Sequence, residues 1–412
     1  MARILFLSHR IPYPPNKGDK IRSWNFLKHL LCKNEVHLGF FIDDKADVKH
    51  ISFLQEQCAS VMYAFASPLK QKLSAIKGFV TDKSLTECAY PSKKIRQDIK
   101  SLIFTKKFDL IFVYSAAPFA WLPSQVDDVP IITDLVDVDS AKWEAYAAGA
   151  SIPIRWIYNR EAKYLSRFEA FVASKSKACS LVSNDEAALF KKRMPLNLQK
   201  TTQVYGITNG VDCAAFNPRI QNETGAKQNI STRLIFTGAM DYRPNIEAVK
   251  WFTKHVLPKL FDHDSSIEFI IAGAPVAPEV KELSHHAYIN VLGRVDNMAD
   301  EINSADIVVA PLQTARGIQN KVLEGMAMAK PVIATSAANE GINAPDNEAI
   351  IIADTAEAYV AAINNLLADP KQSAVIGKNA RKFVEQHFSW SASWSALDNM
   401  INSARTQEEN TA

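Results

Sequence analysis

The sequence predicts an α/β protein built from two consecutive doubly wound parallel sheets. Short apolar runs alternate with amphipathic helical patterns along most of the chain, the mark of parallel βα units. The runs fall into two series, separated by the polar stretch "NPRIQNETGAKQNIST" (217–232). At 412 residues the chain also exceeds the size at which one core keeps growing, so two domains are expected.

In the first series the strands are "RILFLS" (3–8), "VHLGFF" (36–41), "SVMYAF" (60–65), "DLIFVYS" (109–115), "VPIITD" (129–134) and "ACSLVS" (178–183). The second series runs through "RLIFTG" (233–238), "IEFIIAG" (267–273), "INVLG" (289–293), "DIVVAP" (306–311), "PVIAT" (331–335) and "AIIIAD" (349–354). Each sheet should carry its ligand edge at the strand C-termini, with the two edges facing across a cleft. The tail "FVEQHFSWSASWSALDNMI" (383–401) reads as a helix that crosses back over the first domain, packing through Phe388, Trp390, Trp394 and Leu397. These boundaries give a first domain of residues 1–207 plus 389–412 and a second of 208–388.

Composition narrows the function. Hydrophobic residues make up 47% and charged residues 22%, as in an ordinary globular protein, and the net charge of +3 argues against a nucleic-acid partner. Five scattered cysteines without a CxxC pair point to a reducing compartment and to no zinc site. The N-terminal apolar run is too short for a signal peptide and no run of 18 apolar residues occurs, so a cytoplasmic location is expected.

The most informative stretch is "RGIQNKVLEGMAMAKPVIAT" (316–335). As a helix over 319–329 it has a core stripe of Val322, Leu323, Met326 and Ala327. Asn320, Lys321 and Glu324 share a flank, because residues three and four apart are neighbours on a helix. A carboxylate there can accept hydrogen bonds from two vicinal hydroxyls, such as those of a ribose. The helix N-terminus, preceded by Gly317 and Ile318 and flanked by Arg316 and Lys321, favours phosphate. The plainer reading is a solvated Glu–Lys pair, worth a few tenths of a kcal/mol.

This stretch resembles the donor-site motif of the retaining glycosyltransferases of family 4, which have the GT-B fold. The resemblance implies that Glu324 is the second glutamate of the family's E-x7-E pattern and holds the ribose. The first glutamate falls on Arg316, and Lys330 stands where the family usually has glycine. The backbone around Gly317 and Ile318 is then left to meet the donor sugar. "ITNGVDCAAFNP" (207–218) is similar to the family's interdomain segment, with a turn at Asn209–Gly210 and Phe216 as an anchor. "LIFTGAMDYRPN" (234–245) takes the place of the phosphate loop: Gly238 matches, Ala239 replaces an arginine, and Arg243 is the nearest cation for a diphosphate. With Arg243 and Lys321 on the leaving group, no metal and no cofactor beyond the nucleotide-sugar donor is expected.

In the first domain, "SHRIPYPPNKGDKIRSWNFLKHL" (8–30) sets a loop with Gly18 where backbone can approach a phosphate. In "DLVDVDSAKWEAY" (134–146), Asp137 is the candidate to orient or deprotonate an acceptor hydroxyl, Asp139 reads as a helix N-cap, and His9 ranks second for the acceptor side. Together these two segments resemble the sugar transferases of PEP-CTERM/exosortase exopolysaccharide systems. The resemblance implies transfer, with retention, to a glycan or lipid-linked acceptor. The basic, apolar stretches 151–177 and 67–83 could then touch the inner face of a membrane. Two alternatives stand: a nucleotide-sugar epimerase on the same fold, and a non-catalytic GT-B scaffold in polysaccharide assembly. No GxGxxG follows a strand, which disfavours an NAD dehydrogenase.

Overall fold

The computed structural model describes residues 1–15, 18–65, 74, 78, 81–124, 126, 129–219, 232–261, 266–315 and 317–409. Arg316, Lys17, most of 67–83 and residues 220–231 of the polar stretch lie outside the described residues. The chain folds into two compact units: unit 1 is Met1–Thr208 with Trp394–Ala412, and unit 2 is Asn209–Ser393.

Unit 1 holds a seven-stranded sheet in the order β3-β2-β1-β4-β5-β6-β7. Its strands are β1 (Arg3–Ser8), β2 (Glu35–Ile42), β3 (Ser60–Phe65), β4 (Leu110–Tyr114), β5 (Ile131–Val136), β6 (Ala178–Leu181) and β7 (Gln203–Gly206), all parallel. Unit 2 holds six parallel strands in the order β10-β9-β8-β11-β12-β13: β8 (Thr232–Thr237), β9 (Ile267–Ala272), β10 (Ile289–Gly293), β11 (Ile307–Ala310), β12 (Val332–Ala334) and β13 (Ile351–Ile352). The helices used below, labelled in chain order, are α1 (Gly18–Leu31), α2 (Asp139–Ala148), α3 (Ile152–Lys175), α4 (Arg243–His255), α5 (Asn320–Ala327), α6 (Pro370–His387) and α7 (Trp390–Glu409). Central strands such as β4 (LIFVY) and β11 (IVVA) are buried along their whole length, as expected of a sheet covered by helices on both faces.

Four elements differ from expectation, each for a local reason. β7 extends the first sheet; its sequence QVYG is half-buried at an edge and carries too few apolar residues to stand out. The tail is two helices, α6 and α7, broken where Phe388 accepts from Val211 N at 2.8 Å. The N-cap of α2 is Val138, so Asp139 is its first residue rather than its cap. The cap's work is done from elsewhere: Glu186 accepts from Val138 N at 2.8 Å and Glu169 from Ser140 N at 3.0 Å. Finally, Asn209–Gly210 is not a turn. Gly210 is required by contact, since a Cβ there would lie 2.6 Å from Trp390 N.

In both sheets the first strand sits at the centre, beside the strand that reverses the order. The crevices outside β1/β4 and β8/β11 are therefore the topological switch points, where doubly wound sheets bind ligands. In unit 2 the loop after β8 runs into the loop after β9. A Cβ on Gly273, at φ +133°, would stand 1.9 Å from Gly238 O. Gly273→Ala should therefore cost about 2–4 kcal/mol, from strain at a glycine-only backbone angle plus overpacking. A urea midpoint unchanged from wild type would contradict that expectation.

Candidate functional site

The unit 2 switch point gathers residues from three segments. The β8 strand ends at Gly238, at φ +142°, whose N–H donates to Ala272 O at 3.0 Å. Asn245, buried on α4, donates through Nδ2 to Ala239 O at 2.8 Å and so fixes the loop it follows. Its Oδ1 accepts from Lys321 Nζ at 3.0 Å, which lays the α5 lysine beside Gly238: a Cβ there would stand 3.3 Å from Lys321 Cε. That ammonium also lies 5.3 Å from the centre of the Phe236 ring.

Lys321 and Glu324 lie one turn apart on α5. Burial pushes the Glu324 carboxyl up to about 7, against the pull of Lys321. Burial also draws the Lys321 ammonium down to about 8, opposed by Glu324. Both groups are half-buried, so this is a cation and a carboxylate held at the edge of water with their charges costly to maintain. A ligand offering hydroxyls to one and phosphate to the other would relieve that cost.

Asn320 opens α5 behind an N-cap, Gln319, that makes no side-chain cap. First-turn N–H groups of a helix have no intrahelical acceptor and attract anions. Gly317, at φ +65°, is pressed by Gly341, whose Cβ would fall 2.8 Å from Gly317 O. Ile318 packs on the unit 2 core. Just past the C-cap, Met328, Ala329 takes the left-handed angle of φ +52° that a glycine usually supplies. Gly377 permits this by backing onto Ala329 O. Arg381 donates to Ala327 O at 2.5 Å and to Cys213 O at 2.9 Å, tying the C-terminus of α5 to the segment that begins unit 2.

Arg243 is placed differently from Lys321. It opens α4 with its side chain 87% exposed and pairs with Glu247 at 2.7 Å on its own helix. Gly18 opens α1 on the surface, and a side chain added there would meet no atom within 4 Å, so unit 1 itself does not require a glycine.

In unit 1, Val136 turns the end of β5 at φ +70°, a strained angle for a β-branched residue, and the next residue is Asp137. Lys142 Nζ donates to Asp137 Oδ2 at 2.6 Å and approaches Asp139 Oδ1 at 3.2 Å. Burial works against that ammonium, but the two aspartates outweigh it and hold it above the ordinary lysine range. At the end of β1, His9 stacks on Tyr114 with centroids 5.9 Å apart, and its Nε2 lies 3.5 Å from Asp19 Oδ2. Its Nδ1 is buried without a hydrogen-bond partner among the described residues. Asp19 is half-buried; burial works against its charge, yet His9 and Arg10 hold its carboxyl well below the usual carboxylate range.

Sequence reasoning missed Asn245, Gly273 and Arg381 in unit 2 and the buried Arg22 in unit 1. Gly273 sits in "IAGAP" and is brought beside Gly238 only by the pairing of β8 with β9, while Asn245 in "YRPN" is folded back onto the β8 loop by its bond to Ala239 O.

Comparison with known proteins agrees with this architecture. Residues 231–369 match the family described as Glycosyl transferases group 1, a span that lies within unit 2. An uncharacterized 44.6 kDa protein in the cps region of Klebsiella pneumoniae is 20% identical over 401 residues, covering 94% of this chain and 97% of that protein. Anabaena HepE in complex with UDP superposes with a TM-score of 0.66 at 15% identity, covering 97% of this chain and 100% of that one. The sucrose-phosphate synthase of Thermosynechococcus elongatus gives 0.68 at 15% identity over 98% and 99%. The fold is GT-B, with two Rossmann-like parallel sheets, and residues 231–369 of unit 2 are similar to the group 1 glycosyl transferases.

Proposed function

We propose that this chain is a retaining glycosyltransferase that moves a sugar from a nucleotide-sugar donor to a glycan or lipid-linked acceptor in cell-surface polysaccharide synthesis. The observation that carries the donor half is Glu324 and Lys321 on one flank of α5, at the switch point, with Lys321 tethered by Asn245 beside the Gly238–Gly273 backbone. Glu324 accepts from the ribose hydroxyls. Lys321 faces the diphosphate and stabilises it as it leaves, and the N–H groups at the start of α5 add to that charge stabilisation. Lys321 rather than Arg243 takes this role, because Arg243 points to solvent and is held by Glu247. The solved relative from Anabaena binds UDP and, in another crystal, UDP-glucose, which supports a nucleotide-sugar donor. The cps-region relative supports the polysaccharide setting.

On the acceptor side the candidates remain Asp137 and His9. Asp137 lies beside a strained residue at the end of β5, although its carboxylate is already engaged by Lys142. Metal-free transfer and a peripheral position on the inner face of a membrane belong to the same proposal. Among the described residues no helix is long and apolar enough to cross a membrane.

Calorimetry with UDP, GDP and ADP tests the donor half. Wild type should bind at least one of them, and Glu324→Ala should weaken that binding by tenfold or more, as expected for loss of hydrogen bonds to a charged group. No binding by wild type would sink the transferase reading. Equal binding by both proteins would remove only the role of Glu324.

A further inference from the structure

We infer that the corner between α2 and α3, together with the outer face of α3, is a docking surface for a bilayer rich in anionic phospholipid. The start of α3 stands in solvent although it is apolar: Ile152 is 82% exposed, Trp156 63% and Ile154 45%. At the end of α2, Tyr146 is 55% exposed. Tyr146 leans on Trp143 and Tyr158, with ring centroids 6.0 and 6.3 Å away. Large apolar side chains gathered on one exposed corner mark an interaction surface. Tryptophan and tyrosine beside isoleucine suit the headgroup region of a membrane, where one part of the side chain is wet and the rest is not.

The charges of α3 are sorted by sign. Its two acids are both turned inward. Glu161 accepts from Leu85 N at 2.6 Å and Thr86 N at 3.0 Å, capping the short helix Leu85–Cys88. Glu169 accepts from Ser140 N and from Ser140 Oγ at 2.6 Å, capping α2. Among the described residues of α3, the exposed charges, on Arg155, Lys163, Arg167 and Lys175, are therefore all positive. Nearby acids are engaged: Glu144 by Arg193 at 2.7 Å, Asp137 and Asp139 by Lys142, and Asp82 by Tyr164 Oη at 2.8 Å. Ile152, Trp156, Lys163, Arg167 and Phe171 follow one another at spacings of four, seven, four and four, which keeps them on one side of the helix. This side is about 36 Å long, from 24 residues at the α-helical rise. Apolar anchors at one end and a basic stripe behind them fit a planar anionic surface.

The proposed function supplies only the purpose of this surface, access to a lipid-linked acceptor, so the two readings can fail separately. The full chain is sedimented with vesicles of equal parts phosphatidylglycerol and phosphatidylcholine, and with pure phosphatidylcholine vesicles. Wild type should bind the anionic vesicles and release from them as salt rises. Arg155→Glu combined with Lys163→Glu should lower partitioning by roughly tenfold or more. Ile152→Ser with Trp156→Ser should lower it independently of charge. Circular dichroism and a urea midpoint equal to wild type should report that both double variants are folded, and unchanged UDP affinity in unit 2 keeps the donor reading separate. Lack of binding by wild type, equal binding to both vesicle types, or equal binding by the variants would overturn the inference. A dimer that disappears on Trp156→Ser, without vesicle binding, would assign the surface to a second copy and overturn it as well.

Discussion

Arg22→Ala should lower the stability of unit 1 by about 3–5 kcal/mol, the range seen when one partner of a buried ion pair is removed. Arg22 is fully buried in α1. Its Nε donates to Asp134 Oδ2 at 2.7 Å, its Nη2 to Asp134 Oδ1 at 3.0 Å and its Nη1 to Ile207 O at 2.7 Å. Ser180 Oγ completes the Asp134 carboxylate at 2.9 Å. The guanidinium thus joins the first helix, the fifth strand and the segment leaving β7. Its loss leaves the buried Asp134 carboxylate without its counter-charge and without two of its donors. Arg22→Met combined with Asp134→Leu should recover most of the stability, because an apolar pair of similar volume carries no desolvation penalty. Urea denaturation followed by circular dichroism reads both variants. A drop below about 1 kcal/mol in Arg22→Ala would show that the pair is not structural.

Lys321→Met should weaken UDP binding by roughly 10- to 150-fold, the equivalent of one hydrogen bond to a charged group. Methionine keeps the length that packs on Phe236 and removes the charge that Asn245 holds beside Gly238. A dependence on pH should accompany it. The Lys321 ammonium is drawn down to about 8, so it is charged below that pH and lost above it. The Glu324 carboxyl is pushed up to about 7, so it is a full acceptor only above that pH. UDP affinity should therefore peak between about 7 and about 8 and fall on either side. Lys321→Met should flatten the alkaline side of that profile, and Glu324→Gln the acid side. A flat profile in wild type, or identical profiles in the variants, would separate these two residues from the ligand.

Much of this protein is written locally. Every strand expected in unit 2 is present, because each parallel strand buried on both faces is a continuous apolar run bounded by polar or glycine residues. Strand β13 is only Ile351–Ile352 and β7 gives no signal in the sequence, since edge strands bury less and need less apolar sequence. The helix expected over 319–329 spans only Asn320–Ala327, because Ala329 takes a left-handed angle that is permitted by Gly377 across the fold, a residue no local rule connects to it. Glu324 and Lys321 are legible because helix periodicity alone puts them on one flank. Asn245 is not, since 76 residues separate it from Lys321. Arg243 looks like a phosphate ligand by proximity in sequence, but its place at the start of α4 turns it toward Glu247 and solvent.

Local pattern was enough to set the alternation of strand and helix, the two sheets and the flank of α5 that bears Glu324, because these follow from periodicities of two and 3.6 residues. Which polar groups meet was left to the assembled fold. Arg22 finds Asp134 across 112 residues, Lys321 is steered toward Gly238 by Asn245, and Glu161 and Glu169 turn inward to cap other helices, so that among the described residues of α3 the exposed charges are all positive. A buried charge must be satisfied wherever the fold brings a partner, and strand order rather than sequence neighbourhood sets who that partner is.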